Sequence, residues 1–275
     1  MELLAFIRAA LQEDIGPGDY TSLSCIPENA ENQARLLVKE PGILAGIRFA
    51  EEIATEMGLS IEVLLKDGTP VKAGDIAFYL RGNTRALLQT ERVLLNCMQR
   101  MSGIATTTSK YVHAVKGYTV KILDTRKTTP LLRSLEKEAV RIGGGMNHRM
   151  GLYDMVMIKD NHVDAAGGIK QALTRSREYL TANNIHIPIE IETRNLKEVA
   201  EVLEMEIADR IMLDNFSPEL MKEAVELINK RAETEASGGI TLDTIAAYAA
   251  TGVDFISVGA LTHSVKSLDL SLKIS

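Results

Sequence analysis

The chain has 275 residues, 45% of them hydrophobic and 25% charged, the balance of a globular protein able to bury one large or two modest cores. A net charge of −6 and a pI near 5.5 exclude general affinity for nucleic acid or an anionic membrane, which needs a basic surface. Cys25 and Cys97 lie too far apart for a CxxC metal site or a disulfide framework, and no apolar run approaches a membrane span.

The N-terminus, Met1 to Arg8, carries an acid where a signal peptide has a basic region, so a cytoplasmic setting is expected. Leu3–Gln12 has helical spacing. Gln33–Lys39 alternates as a strand. Arg48–Met57 reads as a helix stopped by Gly58. Ile61–Leu65 and Ile76–Leu80 read as strands separated by turn-rich segments. Leu87, Leu88, Leu94, Leu95, Met98 and Met101 share helical spacing, which predicts a helix over about Arg85–Met101.

From about Ile104 the rhythm changes. Six short apolar strands recur, each followed by a polar or glycine cluster. They are Val120–Leu123, Met155–Ile158, Ile187–Ile191, Arg210–Leu213, a weaker Glu233–Ala236, and Phe255–Val258. Helical segments Gly168–Leu180, Leu196–Leu203, Pro218–Asn229 and Leu242–Ala250 lie between several of them. Alternating strands and helices imply a parallel sheet, either an open doubly wound sheet or a βα barrel. No GxGxxG follows the first strand, which favours the barrel, and six strands would leave it incomplete.

The polar clusters carry the chemistry. Arg126, Lys127, His148, Arg149 and Lys159 form a basic set inside an acidic chain. At 4 Å a pair of like charges costs about 4 kcal/mol at an effective dielectric of 20, so converging cations need an anion. One reading is a multiply anionic ligand held by guanidinium forks. The other is exposed charges paired with Asp124, Asp160 and Glu136. His148, set in the glycine-rich loop, stands above His162 and His263 as a candidate. Lys159 has a second functional reading, as a Schiff-base lysine whose cationic neighbours would favour the free amine.

Ser237-Gly238-Gly239 and Gly259-Ala260 end the last two strands, where barrels place phosphate sites and where glycine lets backbone N–H groups approach an anion. A helix beginning at Leu242 would add its N-terminus, or these are simple connecting turns. Glu192 and Asp214 are placed to hold Mg²⁺, bind ribose hydroxyls or stabilise a developing positive charge, or only to neutralise the cations. Glu190 shares a face with Glu192 at period two.

Read in order, these residues resemble the quinolinate phosphoribosyltransferase family (the decarboxylating nicotinate-nucleotide pyrophosphorylases), which the ModD-type proteins of molybdenum transport resemble in fold. The resemblance rests on EDIGPGDYTS (13–22), ERVLLN (91–96), SGIAT (102–106), DTRKTTP (124–130) and GGGMNHR (143–149). IKDNH (158–162), EIE (190–192), LDNF (213–216), SGGI (237–240) and VGALTHS (258–264) complete it.

The fold implied is an N-terminal α/β sandwich domain, residues 1–103, and an incomplete (β/α) barrel of parallel strands, residues 104–262. A tail, residues 263–275, returns to the first domain. The reaction implied joins quinolinate to 5-phosphoribosyl 1-diphosphate with Mg²⁺, and yields nicotinate mononucleotide, diphosphate and CO2. Arg92, Thr125, Arg126, Lys127, His148, Arg149 and Lys159 are then expected to bind quinolinate, and Ser237, Gly238, Gly239, Gly259 and Ala260 the phosphate. Glu192 and Asp214 would serve the ribose and the metal, directly or through the substrate. Lys127, Lys159, Glu192 and Asp214 are the expected catalytic set. The family forms dimers, or hexamers built from dimers, and Arg92 would complete the site of a neighbouring subunit. The spacing of the long helix alone gives Arg92 no role.

Overall fold

A computed structural model of the chain describes residues 2–274. In chain order its elements begin with α1 (Leu3–Ile15), α2 (Tyr20–Cys25), β1 (Glu31–Val38), β2 (Gly42–Ile43), α3 (Ile47–Glu56), β3 (Ser60–Val63), β4 (Pro70–Val71) and β5 (Ile76–Asn83). They continue through α4 (Thr84–Ala114), β6 (Lys121–Leu123), α5 (Arg133–Ile142), β7 (Val156–Ile158), α6 (Asp160–Ala166), α7 (Ile169–Ala182) and β8 (Ile189–Thr193). The last are α8 (Leu196–Met205), β9 (Arg210–Asp214), α9 (Pro218–Ile228), β10 (Glu233–Ser237), α10 (Ile245–Ala249), β11 (Phe255–Ser257), α11 (Ala260–His263) and β12 (Leu270–Ile274). No helix among the described residues is long and apolar enough to cross a membrane.

The chain forms two compact units. One takes the residues up to Ser109, Thr128–Gly144 and the chain from Ala260 on; the other takes Lys110–Lys127 and Gly145–Gly259. Residues 104–109, 128–144 and 260–262, which the expected division gives to the barrel, pack in the first unit.

The first unit is built on a sheet of order β12-β1-β5-β3, antiparallel at each pairing. Alternation along β1 turns Ala34, Leu36 and Val38 into the core. Its C-terminal strand β12 pairs with β1, from Ala34 opposite Ile274 to Val38 opposite Leu270. Helix α4 runs 13 residues past the end expected at Met101, because packing absorbs the polar residues that suggested a stop. Ser102 Oγ donates to Ala45 O and accepts from Ala45 N, and Thr106 Oγ1 accepts from Ile43 N. Gly103 lets the helix meet the C-terminal tail, since a Cβ there would overlap the carbonyl oxygen of Lys266.

The second unit is a six-stranded parallel sheet of order β6-β11-β10-β9-β8-β7, with helices between successive strands. The strands are short and mostly buried, which is why most of these segments read as apolar runs. The segment that read weakest, β10, is central, paired with β9 on one side and β11 on the other. Among the described residues no strand pairing joins β6 to β7, so the barrel is incomplete. The free edge of β6 instead takes Met146, whose N–H donates to Ile122 O at 2.8 Å. The helix expected from Leu242 begins only at Ile245; Thr241 to Thr244 form a turn in which Thr244 Oγ1 accepts from Thr241 N.

Candidate active site

Parallel strands deliver their carboxyl ends to one side of a sheet, and in the second unit that side collects most of the candidates. Arg126 and Lys127 follow β6, Lys159 follows β7, Glu192 lies near the end of β8, and Asp214 ends β9. Ser237–Gly239 follow β10 and Gly259 follows β11. His148 and Arg149 come from the segment lying along the free edge of β6. Arg92, on α4, and Ala260 belong to the first unit. There Arg92 lines a groove of about 450 Å³ with Phe6, Glu13, Asp14, Arg100 and Glu136.

The turn after β6 is fixed by its own residues. Lys127 N–H donates to Thr125 Oγ1 at 3.0 Å, and both Arg126 and Lys127 are exposed. Asp124 is fully buried and accepts from Asn147 Nδ2 at 2.6 Å and His148 N at 2.8 Å. The acid first considered as a counter-ion therefore anchors the neighbouring loop. Glu136, the second such acid, pairs with Arg100 at 2.7 Å and accepts from Thr129 N–H at 3.2 Å.

Arg149 is buried, and its Nη1 donates to Met155 O just before β7 at 3.1 Å. It thus braces the open seam of the barrel. Burial, and next the charge of Arg126, lower its pKa.

Lys159 Nζ lies 3.4 Å from Glu192 Oε2. Its neighbour is an acid, not the cationic surroundings that a Schiff-base lysine was expected to have. Burial raises the Glu192 pKa, Lys159 opposes that rise, and the charge of Asp214 adds to it; Glu192 and Asp214 stand at the ends of the paired strands β8 and β9. His162 is structural: its Nδ1 accepts from Lys159 N–H at 2.9 Å.

The His148 ring turns into the barrel, away from solvent. Its Nδ1 accepts from Arg149 N–H at 2.7 Å, and its Nε2 lies 3.1 Å from Glu190 and 3.3 Å from Glu235. Both carboxylates are fully buried. Arg210, stacked 4.0 Å over the Phe255 ring, reaches Glu235 at 3.1 Å. The spacing of His148, Glu190 and Glu235 would also suit a metal ion. The Arg210 guanidinium, however, already neutralises the Glu235 oxygen that faces His148, and the four side chains form a balanced charge network.

Burial lowers the pKa of His148, but the two acids outweigh it and raise it to about 9. Burial, followed by the charge of Glu235, raises Glu190 to about 7. Burial alone would raise Glu235 as well; His148, Ser257 and Arg210 hold it below the usual range. The Arg149 N–H at Nδ1 fixes the ring so that Nε2 is the nitrogen that faces Glu190 and Glu235.

His148 and Glu190 both bind protons more tightly folded than unfolded. Their stabilisation is complete below the unfolded values and is lost as pH rises through about 7 to 9. Thermal unfolding should therefore show a melting temperature that falls from pH 6.5 to 9.5, more steeply than in His148→Gln. A profile as flat as that of the variant would contradict the network.

Sequence reasoning missed Glu235 and Arg210, and noted Glu190 only for its face. The available signal was an acid inside a buried parallel strand, which has to find a partner.

Comparison with known proteins places this geometry. Residues 19–102 match the family model for the quinolinate phosphoribosyl transferase N-terminal domain, and residues 104–273 match that for its C-terminal domain. The chloroplastic nicotinate-nucleotide pyrophosphorylase (carboxylating) of Arabidopsis thaliana is 50% identical over 99% of this chain and 83% of its own. The probable nicotinate-nucleotide pyrophosphorylase (carboxylating) of Bacillus subtilis is 43% identical over 100% of this chain and 94% of its own. The crystal structure of NadC from Streptococcus pyogenes superposes with a TM-score of 0.92 at 38% identity, covering 98% of this chain and 95% of that one. The chain belongs to the quinolinate phosphoribosyl transferase family.

Proposed function

We propose that this chain transfers the phosphoribosyl group of 5-phosphoribosyl 1-diphosphate to quinolinate with loss of CO2, giving nicotinate mononucleotide and diphosphate. The observation that carries the reading is that Arg126, Lys159, Glu192, Asp214 and the Gly238-Gly239 turn all stand at the carboxyl ends of one parallel sheet. A dicarboxylate and a phosphorylated ribose need that combination of forks, acids and glycine backbone.

In this reading Arg126, Arg149, Lys127 and Lys159 bind the two carboxylates and orient the pyridine nitrogen toward the anomeric carbon. Ser237–Gly239 and Gly259–Ala260 take the 5-phosphate. The bond from C1 to the diphosphate oxygen breaks as the nitrogen–C1 bond forms, and Glu192 and Asp214 stabilise the positive charge that develops on the ribose. The 2-carboxylate then leaves as CO2, and its electron pair, left beside the positive ring nitrogen, takes up a proton. His148, with its ring turned inward, supports Arg149 rather than reaching for substrate.

Glu192 and Asp214 fit Mg²⁺, a hard cation that is held by one or two carboxylates and completes its shell with water and substrate phosphates. The ion, when bound, supplies charge neutralisation to the departing diphosphate. A lyase reading of Lys159 is not favoured, because Glu192 is its ion-pair partner.

A diphosphate-release assay tests the reaction: turnover with quinolinate and Mg²⁺ is expected, and equal turnover with nicotinate would overturn the assignment. A cytoplasmic homodimer is part of the proposal, with Arg92 completing the site of the neighbouring subunit. Inactive Arg92→Ala and Asp214→Ala proteins, mixed and reassociated, should then regain roughly a quarter of wild-type activity. No recovery would argue that Arg92 does not act across subunits.

A further inference from the structure

Asn215 directly follows Asp214 at the end of β9. Its backbone is left-handed, with φ 56°, a conformation asparagine accepts more readily than most residues with a side chain. Its N–H donates to Ser237 O at 2.9 Å, tying the end of β9 to the end of β10. Its Nδ2 donates to Asp214 Oδ2 at 2.6 Å. A carboxylate only accepts, so the amide nitrogen faces Asp214 and Oδ1 faces the other way.

The other way is Gly238. A Cβ added there would overlap Asn215 Oδ1 and lie 2.6 Å from its Cγ. The carboxamide therefore fills the space that a side chain at 238 would take. Gly238 and Gly239 both have positive φ, 99° and 59°, so the turn they form has a backbone course of its own that Asn215 packs against. One small side chain touches both the acid at the end of β9 and the glycine turn after β10.

We infer that Asn215 is a positioning residue for phosphoribosyl diphosphate: it orients the Asp214 carboxylate and fixes the shape of the Ser237–Gly239 turn. The inference rests on the phosphoribosyl-transfer reading above. It separates the two substrates, because the hydrogen bonds of Asn215 run to Asp214 and Ser237, residues assigned to phosphoribosyl diphosphate and not to quinolinate.

Two variants test it. Asn215→Gly keeps the left-handed backbone and removes the carboxamide. Asn215→Asp keeps the shape and replaces the donor with a carboxylate that Asp214 repels. Both should raise KM for phosphoribosyl diphosphate roughly 10-fold or more, the loss of one charge-assisted hydrogen bond and its alignment. KM for quinolinate and the melting temperature should stay near wild type. An unchanged KM for phosphoribosyl diphosphate would overturn the inference, as would equal losses for both substrates with a lowered melting temperature. Wild-type protein that releases no diphosphate from these substrates would instead overturn the reaction on which it rests.

Discussion

Arg126→Ala should weaken quinolinate binding roughly 100-fold while leaving the melting temperature unchanged, the loss of about 3 kcal/mol expected when a charged fork to a carboxylate is removed. Arg126 is the clean probe of the anion site because it is exposed, in a turn held by Thr125 and Lys127. Arg149 is not: it is buried and braces the seam through Met155 O, so its removal would damage the barrel along with the site. Calorimetry with quinolinate separates the cases. An unchanged dissociation constant for Arg126→Ala would remove that residue from the substrate pocket.

Glu235→Gln should lower stability by about 3–5 kcal/mol, because it leaves Arg210 and His148 without their shared buried counter-ion. For a chain of this size that is a fall of roughly 10 °C in melting temperature. The isosteric change keeps the volume, so the loss reports charge and not a cavity. Circular dichroism against temperature measures it, and a melting temperature within a degree or two of wild type would show that the network does not hold the barrel interior. Activity should fall as well, since His148 is bonded to Arg149 N–H and lies on the loop that Asp124 anchors.

Much of the scaffold was legible from local pattern. The six runs became the six parallel strands because a strand largely buried on both faces is mostly apolar. The weakest, Glu233–Ala236, hid its place because its polar residues serve the interior: Glu235 meets Arg210 and His148, and Thr234 bonds Asp254. Helix α4 outruns the apolar spacing that ends at Met101, because Ser102, Gly103 and Thr106 are held by Ala45, Lys266 and Ile43, contacts far away in sequence. Helix α5 carries its apolar stripe of Leu135, Ala139 and Val140 in the local sequence, whereas the pairing of β12 with β1 depends on contacts that no local period announces.

The candidate site was legible as a set of residue types and less so as a set of directions. Arg126, Lys159, Glu192, Asp214 and the glycine turns stand at strand ends, as the clusters implied. His148 stands with them in sequence yet turns its ring inward, because Arg149 N–H and two buried acids hold it there. Asn215, overlooked between Asp214 and Phe216, matters only once the ends of β9 and β10 are seen side by side.

The most direct test of the account is a single turnover with quinolinate carrying carbon-13 in its 2-carboxylate, together with phosphoribosyl diphosphate and Mg²⁺. The predicted result is all of the label in CO2, with nicotinate mononucleotide and diphosphate formed in equal amounts to it. Diphosphate released while the label stays on the pyridine product, or CO2 formed without the mononucleotide, would contradict the account.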